Sequence, residues 1–239
     1  MIGDTNVRAM PVAAGTRIST LKVGTLVKMN ISGTPWEWKI VHQGLPGSMY
    51  DQSCDGCWLL LENIYENRQW NSSNVNDYAN STIKAYLNGD FFELLDSGIQ
   101  SQVKQVKIPY RPGSGTSLDV NSGENGLICK IFLLSSPEVG SYEAFAMAKD
   151  GEKLGFFIDD AEGGVAYVNR VAKYNGSETM WFLRSPDCNS GFGYELRHVD
   201  RDGSVSGNAM PQSLAYGIRP ALILPSSALV DDDLNVLAA

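Results

Sequence analysis

Histidine is scarce in this sequence: 239 residues contain two, His42 and His198, far apart along the chain. No G-x-S-x-G occurs either, so a nucleophile–base–acid triad has little to be built from. Of four cysteines, Cys54, Cys57, Cys129 and Cys188, only Cys54 and Cys57 form a C-x-x-C. Without a second such pair a tetrahedral zinc site lacks donors. The residues that follow, Trp58-Leu59-Leu60-Leu61, read as a strand rather than the helix that a thioredoxin-type motif opens, which leaves that pair a structural role. Basic residues are also few. Lys+Arg 19 against Asp+Glu 27 gives a net charge of -8 with no basic cluster, and nucleic acid is excluded as a partner on that ground. No apolar run reaches the length of a membrane span, and no basic-then-apolar leader is seen, so neither membrane insertion nor a signal peptide is expected. No cofactor, no metal site and no internal repeat is expected.

What remains is a well-stocked core: 43% hydrophobic, with Trp 5, Tyr 10 and Phe 8. Residues 1–20 are small and polar without period and read as a tail or linker; 21–239 read as a single domain. Two alternating runs, Gly24–Ile31 and Trp36–His42, flank the turn Ser32-Gly33-Thr34-Pro35 and predict a hairpin. A loop then leads to a strand at Trp58–Leu61. The period next becomes helical. Asn80-Ser81 caps a helix that places Ile83, Tyr86 and Leu87 on one face and stops at Gly89. Phe91, Phe92, Leu94 and Leu95 are expected to plug the core. Ile99, Val103 and Val106 are spaced for a second short helix before Pro109. Ile128–Leu134 reads as a buried strand, and Pro137 as the first turn of a helix. Strands, then helices, then strands again is an α+β order.

The stretch Trp181–Leu224 organises the chain. Its ends are apolar blocks with one arginine each, Trp181-Phe182-Leu183-Arg184-Ser185-Pro186 and Tyr216-Gly217-Ile218-Arg219-Pro220-Ala221-Leu222. Trp181, Arg184 and Arg219 read as a structural frame, the arginines clamping backbone carbonyls or a carboxylate from within. The middle is rich in Gly, Ser and Asn. Gly193–Asp200 alternates like a half-buried strand, and Asp202-Gly203 signals a hairpin with both central residues tolerant of positive φ. Ser204-Val205-Ser206 starts the return, and Ala221–Leu224 reads as a strand buried on both faces. Phe192, Tyr194 and Tyr216 have the character of contact aromatics. Asp200–Ser204 fails the calcium-loop pattern, since Val205 and Pro211 occupy the positions that need Gly and Glu, and Asp159, Asp160 and Glu162 read as a solvated acidic loop.

Several separated blocks together resemble a domain of bacterial and prophage proteins with a W-L-R-S-P … G-I-R-P-A-L signature. They are Gly24–Val27, Tyr65–Asn71, Ile83–Asn88, Lys130–Ser135, Trp181–Pro186 and Tyr216–Leu222, and the resemblance runs over about residues 22–226. That domain is similar in layout to the C-type-lectin-like fold of formylglycine-generating enzymes and retroelement-diversified phage tropism determinants. The resemblance implies short antiparallel strands with two or more short helices and long loops, around an exposed variable segment at 187–213. Carried over by position, the ligand-binding residues there are Asn189, Phe192, Tyr194, Glu195, Arg197, His198, Asp200, Arg201, Asn208 and Gln212. It implies a non-enzymatic domain meeting a protein or cell-surface ligand, located on a virion (phage tail) or bacterial cell surface, as a homo-oligomer or part of virion assembly. The E-P-N and W-N-D triplets of calcium-dependent sugar-binding lectins are missing. So is the C-terminal cysteine pair of formylglycine-generating enzymes, of which only Cys188 stands nearby. The alternatives are a thiol oxidase or redox enzyme using Cys54, Cys57 or Cys188, and a structural virion assembly domain.

Overall fold

The computed structural model describes residues 15–113, 119–141, 149–159, 167–187 and 194–238. Thr16–Arg17 is β1, and the 3-10 turn after it buries Ile18 completely. Residues 15–20 of the expected tail therefore belong to the fold. Leu26–Ile31 (β2) and Thr34–Gln43 (β3) form the predicted hairpin, turning at Ser32 and Gly33 with φ of 51° and 74°. Two left-handed residues give the turn whose twist matches a two-residue hairpin. Cys57–Leu61 (β4) is buried at all five positions, and Glu66–Asn67 (β5) follows.

Ser81 caps α1 (Thr82–Asn88): its hydroxyl accepts the Lys84 N–H at 3.2 Å. Ile83 and Leu87 face inward, and α2 (Asp90–Glu93) delivers Phe91 to the core. Leu95 is buried too, whereas Phe92 and Leu94 only lean against the core. The second helix falls short of its expected length. α3 spans Ser97–Gln100, and Val106–Ile108 is β6, paired with Leu127–Cys129 (β7). Proline 109 disfavours helix at the residue before it, and strand alternation buries both Val106 and Ile108. The apolar run 128–134 is likewise split. β7 and Ile131–Phe132 (β8) join different sheets, and Ile128 is 53% exposed rather than buried.

Lys173–Tyr174 (β9) and Ser177–Glu178 (β10) make a small hairpin. Trp181–Pro186 (β11), Leu196–Val199 (β12), Val205–Ala209 (β13), Gly217–Ile218 (β14), Ala221–Leu224 (β15) and Leu229–Val230 (β16) complete the chain, β16 pairing with β1. One five-stranded sheet has the order β2-β3-β4-β15-β8 with antiparallel neighbours throughout. The other has the order β13-β12-β11-β14-β5, with β11 and β14 parallel. The molecule is thus a sheet-rich α+β structure with few, short helices.

Two short passages of the chain between these sheets, 62–65 and 219–220, lie side by side. They are laced together by Leu61 N–H to the Pro220 carbonyl at 2.9 Å and Tyr65 N–H to the Ile218 carbonyl at 3.0 Å. Pro220 has no N–H to donate, which suits a position where the strand must leave one ladder for the other.

Candidate functional site

The frame comes first, because it decides what can be displayed. Every residue of β11 is buried. Arg184, in its middle, is 1% exposed and uses all five guanidinium hydrogens. Nε donates to the Pro109 carbonyl at 3.2 Å, Nη1 to the Leu133 carbonyl at 2.8 Å and Glu138 Oε2 at 2.6 Å, and Nη2 to Glu138 Oε1 at 2.6 Å and the Asp150 carbonyl at 3.1 Å. Burial works against this charge, but the Glu138 carboxylate grips it on two sides and Asp150 adds to the hold, so the guanidinium stays above its ordinary range. Glu138 also accepts the Tyr50 hydroxyl at 2.8 Å and the Ser135 N–H at 2.9 Å. Next to it, Ser185 Oγ donates to the buried Asp150 carboxylate and accepts the Ser136 N–H at 2.9 Å. Burial raises the Asp150 carboxyl above its ordinary value.

Arg219 is the second clamp. It lies at the crossover between sheets, 2% exposed, donating from Nε to the Leu61 carbonyl at 3.1 Å and from Nη2 to the Glu62 carbonyl at 2.9 Å. Its guanidinium sits 4.7 Å from the centre of the Trp181 ring. Among the described residues no carboxylate is bonded to it, and burial lowers its pKa to about 10 against the opposing pull of the Glu62 charge. Arg219 thus ties together the two passages from sheet to sheet. Sequence reading did not single out the further buried arginines Arg111 and Arg170. Arg111 Nη2 donates to the Pro186 carbonyl at 2.9 Å, and Arg170 Nε to the Val139 carbonyl at 2.7 Å. An arginine beside proline in an apolar block, the signal that marks Arg184 and Arg219, recurs at Arg111-Pro112 and would have found the first of them.

On this frame hangs the β12–β13 hairpin. Asp200 and Ser204 close it through an N–H to carbonyl bond of 2.7 Å, with three residues between them. Only Gly203 of the three is left-handed, at φ 87°, so the turn is the three-residue kind and not the two-residue turn expected from Asp202-Gly203. Asp202 Oδ1 is occupied by the Ser204 N–H and hydroxyl at 2.9 and 2.7 Å, in keeping with a turn rather than a cation loop.

The eleven predicted contact residues divide clearly. Asn189 and Phe192 lie outside the described residues. Arg201, Asn208 and Gln212 are exposed. Gln212 is held to the rest of the molecule, its Nε2 donating to the Ser72 carbonyl at 2.8 Å while its own carbonyl accepts Gln69 Nε2 at 2.9 Å. Tyr194, Glu195, Arg197, Asp200 and Tyr216 are half-buried. Arg197 leans toward Asp187, 4.0 Å away, across Gly207, where a Cβ would collide with the Asp187 carboxylate. His198 is the correction: 1% exposed, it cannot face a partner. It pairs with Phe182 across the β11–β12 ladder and packs edge-on against the Tyr216 ring at 4.8 Å, with Phe182 stacking on the same ring. Burial lowers its pKa to about 4 despite Asp200 at 3.8 Å, so the ring is neutral. Alternation put a polar residue on an inward face, and a neutral imidazole tolerates that where a charged side chain would not. Sequence reading passed over two exposed apolar side chains beside the hairpin, Met210 (37%) and Leu214 (64%).

The thiols are placed differently. Cys54, Cys57 and Cys129 are free and buried, and burial pushes each of them up to about 12. A reactive thiol needs the opposite shift. Among the described residues no three His, Cys, Asp or Glu side chains gather to hold a metal, and no helix is long and apolar enough to cross a membrane. Of the acidic set, Asp160 and Glu162 lie outside the described residues, and Asp159 pairs with Lys153 at 3.3 Å.

No curated protein and no solved structure matches the chain. A family model does, over residues 55–226, a span that holds both crossovers, the whole of β11 and the hairpin. That is well over half of the sequence, and the chain therefore belongs to the family described as a domain of unknown function, DUF6273.

Proposed function

We propose that this chain is a non-enzymatic binding domain, C-type-lectin-like in fold, that meets a protein or cell-surface ligand through the segment 187–213 and the loop that follows. One observation carries the reading. The exposed polar residues Arg201 and Asn208, and the exposed apolar Met210 and Leu214, fall on one hairpin and its exit loop. The strand supporting that hairpin is buried throughout and locked by Arg184. Exposed apolar groups among adaptable polar ones, on a fixed support, make a contact surface whose composition can change without loss of the fold. The high thiol pKa values of Cys54 and Cys57 weigh against the redox alternative at that pair.

Display on a phage tail or bacterial surface, with diversification of the segment, is the setting in which such a division is useful. Sequencing sibling copies across codons 181–224 tests it. Substitutions concentrated between Asp187 and Ser213, with 181–186 and 216–222 fixed, support the proposal. A uniformly constant stretch refutes diversification, and substitutions concentrated in the frame refute the assignment of the surface.

A further inference from the structure

Away from the hairpin, two adjoining hollows of about 500 and 230 Å³ share Trp36 and Asn63 and form one groove open to solvent. Its walls come from the β2–β3 hairpin, the 62–65 crossover, the β9–β10 hairpin and the chain near Asn235. No described residue of the segment 187–213 takes part. Three half-exposed rings line it, Trp36, Tyr65 and Tyr174, with Trp36 and Tyr65 5.4 Å apart and inclined at 55°. Tyr65 is backed by the buried Phe91 at 5.0 Å, so the platform is held from beneath. The β9–β10 turn, Asn175-Gly176 at φ 49° and 81°, fixes Tyr174 at the rim.

Polar groups of both kinds surround these rings. Asn63, which lines both hollows, accepts the Lys173 N–H through Oδ1 at 3.1 Å, which leaves its Nδ2 as a donor. Asn235 Nδ2 is spent on the Asp231 carboxylate at 2.9 and 3.1 Å, which leaves its Oδ1 as an acceptor. Lys28 and Lys173 balance Glu37 and Glu62 among the lining residues, and Glu62 is further paired to Lys39 at 2.7 Å. A lining whose own charges cancel in number offers no cluster of one sign to a phosphate or to a quaternary ammonium ion. Apolar faces flanked by fixed single donors and acceptors suit a neutral ligand that is apolar on its ring faces and hydroxylated at its edges.

From this geometry we infer a second binding site, for a neutral oligosaccharide laid along Trp36, Tyr65 and Tyr174 and hydrogen-bonded by Asn63 and Asn235. It uses side-chain amides and rings, with no cation, and is independent of the proposed surface at 187–213. The test is saturation-transfer NMR and titration calorimetry on the full chain with cellotriose, chitotriose and maltotriose, and with sialyllactose as the acidic probe. At least one neutral trisaccharide should bind. Its affinity should fall at least about tenfold in both Trp36→Ala and Tyr174→Ala and stay unchanged in Asn208→Ala. Tyr174 lies in a two-residue strand at the rim, so an unchanged melting temperature in that variant separates loss of ligand from loss of fold. Absence of binding by all three neutral sugars up to about 10 mM would overturn the inference. So would binding that survives both substitutions, or that is confined to the acidic probe.

Discussion

Replacing Arg184 by Met keeps an unbranched apolar stem and removes the charge together with its five donors. Glu138, fully buried, would lose both guanidinium bonds and keep only Tyr50 and the Ser135 N–H, while the Leu133, Pro109 and Asp150 carbonyls lose their Arg184 donors. Breaking a buried pair from one side costs about 3–5 kcal/mol, because the remaining charge stays desolvated. For a chain of this length each kcal/mol lowers the melting temperature by about 2–4 °C, so R184M should melt roughly 6–20 °C below the parent. Removing both charges is a different perturbation. The double variant R184M/E138L leaves no orphan ion and should recover at least about 1 kcal/mol relative to R184M. Urea unfolding followed by tryptophan fluorescence reads both, since Trp58, Trp70 and Trp181 are buried. A cost for R184M below about 1 kcal/mol, or a double variant less stable than R184M, would refute the clamp.

His198 makes stability depend on pH. Its folded pKa of about 4 lies below the ordinary 6.5, so below pH 6.5 the unfolded chain takes up a proton that the folded chain refuses. The His198 contribution is complete above pH 6.5 and lost progressively as pH falls toward 4, by about 3 kcal/mol in all. His198→Phe should flatten that part of the profile in urea unfolding at pH 7 and pH 4; parallel profiles would contradict it. Gly203→Ala should cost about 1–3 kcal/mol, because φ is 87° and the new Cβ meets the Tyr167 carbonyl. Gly33→Ala, at φ 74° with nothing within 4 Å, should cost less. Equal melting temperatures for the two variants would remove the packing part of that account. Iodoacetamide at neutral pH should leave Cys54, Cys57 and Cys129 unmodified until denaturant is added, as peptide mapping would report. Rapid native labelling at Cys54 or Cys57 would revive the redox alternative.

Much of the fold was legible because local signals and burial agreed. Ser32-Gly33 between alternating runs gave the first hairpin, Ser81 gave the cap of α1, and the apolar Ala221–Leu224 gave a central strand. Helix periodicity at Ile99, Val103 and Val106 misled because Val106 also stands two residues from the apolar Ile108, and pairing with Leu127–Cys129 settled that end as strand. Arg184 and Arg219 were recognisable as buried clamps, and the same signal stands at Arg111-Pro112, yet Glu138 and Asp150 were not recognisable. Their partners lie tens of residues away, and no local pattern encodes such a meeting. His198 shows the same limit: alternation located the strand, but which face is inward depends on the sheet it joins.

The division of labour between frame and surface is best tested by a saturation library of residues 181–224 on the displayed full chain. It would be sorted separately for protease resistance and for binding to bacterial envelope preparations. Changes at Arg201, Asn208, Met210 and Leu214 should abolish binding with resistance intact, and changes at Arg184 and Arg219 should abolish both. If every loss of binding accompanies a loss of resistance, or if the hairpin positions leave binding untouched, the surface at 187–213 is not where this domain meets its ligand.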